Sequence, residues 1–210
     1  MINFIKGCNI KNSSNLSEGY TIEENAIRAN VNAEKILKLI KEFVKKQDKK
    51  SSLFLFIEVP CSLNDETIKK EATDTEPGIM EESHNDVYYL DGIPQPVANK
   101  ILDIGNDILI NDGMVIFGIG NHNTGDEIGK YKYNEVFLYF KDDIKDYESV
   151  FINNKLEKNI DLISPWDLIN ENNPGESNKY TNENGMDIYD LIKTFEESFE
   201  EFYKAEKRES

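Results

Sequence analysis

Leu53-Phe54-Leu55-Phe56-Ile57-Glu58-Val59 is the stretch on which the fold turns. It is too short for a buried helix, it is rich in β-forming residues and Pro60 closes it, so it reads as a central strand that is apolar on both faces. Upstream, Ile36, Leu37, Ile40, Phe43 and Val44 recur at helical spacing while Lys35, Lys38, Lys41, Lys45 and Lys46 occupy much of the remaining surface. That pattern predicts an amphipathic helix beginning after Val31 and ending at the polar run Gln47-Asp48-Lys49-Lys50. Residues 1–30 are rich in Asn, Ser and Glu and give a poorly determined entry segment, with a short strand at Ile2 to Ile5.

Downstream of the strand, residues 62–85 carry Asp65, Glu66, Glu71, Asp74, Glu76, Glu81 and Glu82 around Pro77-Gly78, which predicts a mobile acidic loop. Val87-Tyr88-Tyr89-Leu90 returns to strand with Asp91-Gly92 as its turn. Val97, Ile101, Ile104 and Ile108 mark a second helix, stopped at Asn111-Asp112-Gly113, where the glycine is expected to take a left-handed cap. Met114 to Phe117 and Glu135 to Phe140 read as two strands, joined across Gly118 to Asn134 as one antiparallel hairpin with a long polar tip. Ile144, Tyr147 and Phe151 define a short third helix, and Asn159 to Asn184 is irregular. Ile188, Leu191, Ile192, Phe195, Phe199 and Phe202 form a last helical stripe with Glu196, Glu197, Glu200 and Glu201 opposite. A single α+β domain over 1–210 follows, an antiparallel or mixed β-sheet backed by amphipathic helices.

Forty acidic residues against 24 basic ones give a formal charge of −16, and the pI is near 4.6. Such a surface repels nucleic acid and anionic membranes and favours a cationic partner. The amino terminus has no apolar run of signal-peptide length, and no segment approaches the roughly 18 apolar residues of a membrane span, so the expected location is the cytoplasm. Cys8 and Cys61 form no CxxC pair and read as free thiols.

The chemistry-bearing residues are few. Of the two histidines, His84 and His122, the latter lies in Gly118-Ile119-Gly120-Asn121-His122-Asn123-Thr124-Gly125-Asp126-Glu127, one imidazole near two carboxylates. Those three side chains are a sparse metal set with no HExxH or CxxC beside them, and turn propensity alone explains the stretch, so no metal is expected. The two glycines do not continue to GxGxxG, there is no GxxxxGK[ST], and no serine or cysteine sits in a nucleophile elbow. No cofactor and no catalytic residue is assigned. Trp166, the one tryptophan, sits between Pro165 and Asp167 as a core anchor or an exposed contact, its large apolar area favouring the core. Tyr88 and Tyr89 occupy opposite faces of one strand, so at least one of them is expected at the surface.

From about Ile101 to Ser177 the chain resembles a group of bacterial proteins that are immunity partners of polymorphic toxins. The residues carrying the resemblance are Asn111-Asp112-Gly113, Phe117-Gly118-Ile119-Gly120, Gly125-Asp126-Glu127-Ile128 with Lys130, Tyr133-Asn134, Trp166-Asp167 and Pro174-Gly175-Glu176-Ser177. They cover roughly a third of the chain and are turn and strand-end residues, better markers of a fold than of an activity. The resemblance implies a non-catalytic protein that binds a cognate toxin domain, and the acidic charge fits a basic one. The expected partner-binding residues are Tyr88, Tyr89, Asp126, Glu127 and Trp166. Two alternatives stay open: an acidic DNA mimic that inhibits a nucleic-acid-binding protein, and a small hydrolase with a site near His122.

Overall fold

The computed structural model describes residues 2–60, 68–70, 79–80, 84–141 and 144–209. Leu53–Pro60, here β4, is internal in an eight-stranded antiparallel sheet, as its two-sided apolarity requires. The other strands of this sheet are β2 (Gly19–Glu23), β3 (Ala26–Asn30), β7 (His84–Ile93), β8 (Ile116–Asn121), β9 (Glu127–Lys130), β10 (Glu135–Tyr139) and β12 (Phe202–Glu209). Their order is β12-β7-β4-β8-β9-β10-β3-β2. Two small antiparallel pairs stand apart, β1 (Cys8–Ile10) with β11 (Gly175–Ser177) and β5 (Ile68–Lys70) with β6 (Ile79–Met80). The expected mobile acidic loop 62–85 otherwise lies outside the described residues, apart from the start of β7.

Four helices, α1 (Ala33–Lys46), α2 (Gln95–Asn111), α3 (Lys145–Asn153) and α5 (Ile188–Ser198), cover one face of the sheet, and the fold is α+β. The period-2 pleat decides which side chains they meet. On β4 it sends Leu53, Leu55, Ile57 and Val59 into the helix-covered core, on β8 Phe117 and Ile119, and on β10 Val136 and Leu138. Against them lie Ile36, Leu39, Ile40, Phe43 and Val44 of α1 and Ala98, Ile101, Leu102, Ile108 and Leu109 of α2. Burying such a side chain stabilises the fold by about 1.5–3 kcal/mol, so this layer supplies most of the driving force.

Several expectations change. Ile2 to Ile5 form no strand, and residues 1–30 instead give two strands of the main sheet, β3 being internal. Asn134 ties this region in: wholly buried, it accepts from the Ile5 amide at 3.0 Å and donates to the carbonyls of Asn3 at 2.9 Å and Val31 at 2.8 Å. The backbone reaches that position through two successive left-handed residues, Tyr133 at φ 55° and Asn134 at φ 64°, a conformation that asparagine tolerates better than tyrosine. The single long hairpin is two, because β9 lies between β8 and β10. Gly113 takes no left-handed cap; a Cβ there would lie 2.1 Å from the Gly7 carbonyl oxygen, so close approach of the chain demands glycine. The last helix stops at Ser198, and Phe202 begins the edge strand β12. No helix among the described residues is long and apolar enough to cross a membrane.

Candidate functional site

The face of the sheet turned away from the four helices carries the other half of each pleat. Over β2 and β3 it is crossed by the segment 157–164: Arg28 donates to the Leu162 carbonyl at 3.1 Å and Asn30 to that of Ile163 at 2.8 Å. From β10 to β12 this face presents rings. Phe137 and Tyr139 stack along β10 with centroids 5.9 Å apart, and Tyr131 meets Phe137 edge-on at 5.1 Å. Phe54 of β4 lies against His122 at 4.5 Å and Tyr89 at 6.2 Å, and Tyr89 continues to Tyr203 of β12 at 6.3 Å. Tyr139 is 40% exposed and Tyr203 47%.

Glycines let these rings lie flat. A Cβ on Gly120 would fall 2.1 Å from the Phe54 ring, one on Gly118 2.5 Å from the Phe56 ring, and one on Gly129 3.1 Å from Tyr131. Gly118, Gly120 and Gly129 are therefore seats for aromatic side chains from adjacent positions, the arrangement in which a ring covers the backbone that a glycine leaves bare.

Two polar constellations flank the rings. At one end His122 Nε2 is 2.8 Å from Asp91 Oδ1, and Asp91 Oδ2 accepts from the Tyr203 hydroxyl at 2.6 Å. At the other, Glu135 is 2% exposed; it accepts from the Ser164 hydroxyl at 2.8 Å and from Trp166 Nε1 at 2.8 Å, with Arg28 Nη1 3.7 Å away. Burial pushes the Glu135 carboxyl up, and the hydrogen bonds from Ser164 and Trp166 and the charge of Arg28 oppose it. Trp166 stands on the short helix α4 (Pro165–Leu168), whose Ser164 cap forms a capping box with Asp167. Its ring packs edge-on against Tyr133 at 5.0 Å and remains 51% exposed. It thus both anchors its segment and faces solvent. Between Trp166 and the sheet lies a cavity of about 440 Å³, lined among others by Arg28, Glu58, Tyr131, Lys132, Phe137 and Tyr139.

Of the residues expected to contact a partner, the structure gathers Tyr89, Glu127 and Trp166 on this open face. Tyr88 does not join them: it points to the helices and stacks on Phe202 at 5.6 Å. Asp126 is buried, accepting from the Tyr147 hydroxyl at 2.6 Å and the Lys141 amide at 2.9 Å, so it braces the turn from inside and is not an exposed tip. His122 Nε2 is taken by Asp91 of β7. Among the described residues no group of three or more His, Cys, Asp or Glu is arranged to hold a metal ion. Sequence reasoning missed Phe54, Tyr131, Phe137, Tyr139 and Tyr203, although the alternation Glu135-Val136-Phe137-Leu138-Tyr139 already separates an aliphatic face from an aromatic one. Compared with protein-family models, with curated proteins and with solved structures, the chain matches none.

Proposed function

We propose that this chain is a non-catalytic binding protein, an immunity protein that acts in the cytoplasm and neutralises a cognate, basic toxin domain by laying the open face of its sheet over it. The observation that carries this reading is the row of half-exposed rings held on rigid strands. Aromatic side chains with their hydroxyls or indole already hydrogen-bonded lose little freedom on binding and are the residue types that dominate interface energetics. Asp91, Glu127 and Glu58 stand among them, and the charge of −16 steers a cationic partner toward the protein. Masking needs no cofactor.

The test is association kinetics with the product of the adjacent gene at several ionic strengths. The on-rate falls steeply with salt, as screened long-range attraction requires, while Tyr89→Ala raises the off-rate with little change in the on-rate. Absence of binding, or an on-rate indifferent to salt, sinks the reading; competition by duplex DNA in its place points to a DNA mimic. A second reading, a small hydrolase, draws on the Asp91–His122 contact at 2.8 Å: a carboxylate that orients an imidazole is half of a general-base arrangement. Ester hydrolysis that disappears in His122→Ala would favour it.

A further inference from the structure

The cavity of about 440 Å³ beneath Trp166 has four rings in its walls, Tyr131, Phe137, Tyr139 and Trp166. Its charged lining balances, Arg28 and Lys132 standing with Glu58 and Glu135. The hydrogen-bonding capacity left over does not balance. Both Glu135 oxygens are taken, by the Ser164 hydroxyl at 2.8 Å and by Trp166 Nε1 at 2.8 Å, and Glu58 accepts from Asn85 Nδ2 at 2.8 Å. On the donor side, Arg28 commits Nε to Glu23 at 2.8 Å and Nη2 to the Leu162 carbonyl at 3.1 Å. Its buried Nη1 lies 3.7 Å from Glu135, beyond hydrogen-bond reach, and has no acceptor. The Lys132 ammonium has no hydrogen-bond or ion-pair partner among the described residues. A buried donor without an acceptor is costly, so an occupant that brings acceptors completes this lining, whereas one that brings only donors adds to the surplus.

The occupant is also uncharged. The Tyr131 phenol is pushed up by burial first and then by Tyr139, Glu127 and Glu58; those carboxylates would oppose an entering anion in the same way. A cation would find no vacant acceptor on Glu135 and two cations already in the walls. Aromatic walls favour a flat ring, which gains offset-stacked or edge contacts, and rings with a few placed polar groups are the usual lining of a small-molecule cleft. We propose that this cavity binds a small, neutral, planar ring compound bearing a carbonyl oxygen, an aromatic amide or lactam, with the ring against Tyr139 and Trp166 and the carbonyl on the side of Arg28 and Lys132. A small molecule needs only the cavity and no toxin partner, so this site is separate from the masking function.

Trp166 is the sole tryptophan, so its fluorescence reports on the cavity. The intact protein is titrated with benzamide, benzoate and benzamidine, three probes of nearly one shape: the first neutral with a carbonyl, the second an anion, the third a cation with donors alone. Benzamide gives a saturable change, weak as befits so small a ligand, and the two charged probes bind at least about fivefold more weakly. Tyr139→Ala, at an exposed position, abolishes the saturable change, while Tyr139→Phe, which keeps the ring, retains it. Lys132→Met weakens benzamide severalfold by removing a donor. Benzoate as the best probe makes this an anion site and benzamidine as the best probe a cation site; either overturns the proposal. A flat response to benzamide up to its solubility limit overturns it too, as does a response that Tyr139→Ala leaves unchanged.

Discussion

The two faces of β4 meet different surroundings. Leu53, Leu55, Ile57 and Val59 point one way into aliphatic side chains of α1 and α2 and are essentially inaccessible. Phe54, Phe56 and Glu58 point the other way into a layer of rings, glycines and carboxylates that remains partly open. Seven consecutive residues thus serve two purposes: the inner face supplies burial, and the outer face supplies shape and polarity at a surface. Aliphatic packing is efficient only where water is excluded on all sides, whereas an aromatic ring retains value half exposed, since its flat face and polar edge both offer contacts.

Truncation should split the faces most sharply. Phe117→Ala, on the inner face of β8 and wholly buried, is expected to cost about 3–5 kcal/mol through lost transfer energy and a residual cavity. Tyr139→Ala, on the outer face of β10, is expected to cost under about 1 kcal/mol. Urea denaturation of the two variants measures both, and equal losses would erase the distinction between a stabilising and a presenting face.

Lys130 is the exception on the inner face. It is fully buried, and its ammonium donates to the carbonyls of Asp112 at 2.5 Å and Val115 at 2.9 Å. Desolvation pulls its pKa from 10.5 to about 8, while Cys8 and Asp112 oppose the shift and Lys132 adds to it. Because the unfolded chain holds this proton more tightly, stability rises with pH through the window from about 8 to 10.5. The integrated effect is roughly 3 kcal/mol at about 1.4 kcal/mol per unit. Tyr20, pushed up to about 12 chiefly by burial, works in the opposite sense above its ordinary value of 10.0, and Cys8, whose thiol burial pushes up from 9.0, opposes the rise within the window, so the slope between pH 8 and pH 10 is read as the difference between the native protein and a Lys130 variant. Lys130→Met should flatten it in chemical denaturation across that range; an unchanged slope would mean that other groups supply it.

The inner face was legible in the sequence because it obeys simple periods. The stripe of α1 and the run of β4 place apolar residues where the structure buries them, and of the α2 spacing Ile101 and Ile108 are buried whereas Ile104 turns out to solvent, the helix burying Leu102, Gly105 and Leu109 instead. Half of the outer face was hidden by its glycines. Gly118, Gly120 and Gly129 read as turn residues, so β9 vanished into a supposed hairpin tip; the bulk that should have marked these positions is supplied by Phe54, Phe56 and Tyr131 from elsewhere. Strand pairing is non-local: no short window holds Gly118 with Phe56 or Gly120 with Phe54, and Tyr131, although close to Gly129 in the chain, marks it only once β9 is recognised as a strand. The same limit explains Asp126, which reads as an exposed turn carboxylate until Tyr147 of α3 is brought 2.6 Å away. It also explains Phe199 and Phe202, which continue a helical stripe by spacing although β7 draws Phe202 into a strand opposite Leu90.

Overpacking the outer face should leave the inner one in place. The three atoms nearest a methyl on Gly120 all belong to the Phe54 ring, the closest being its Cζ at 2.1 Å. That is the outer end of a side chain and not backbone, so the ring can swing aside and Gly120→Ala is expected to cost about 1–3 kcal/mol, the usual range for overpacking. A methyl on Gly118 would also fall 2.3 Å from the Ile128 carbonyl oxygen, where no rotamer change relieves it, so Gly118→Ala should cost more. Moving the Phe54 ring uncouples its two neighbours, His122 at 4.5 Å and Tyr89 at 6.2 Å. In Gly120→Ala the His122 ring protons should therefore lose the upfield displacement of an overlying aromatic ring, while the methyl resonances of Leu55 and Ile119 on the opposite face hold their positions. Inner-face methyls that move as far as the His122 protons would show that the two layers are mechanically one, and that the aromatic face cannot be altered without cost to the core beneath it.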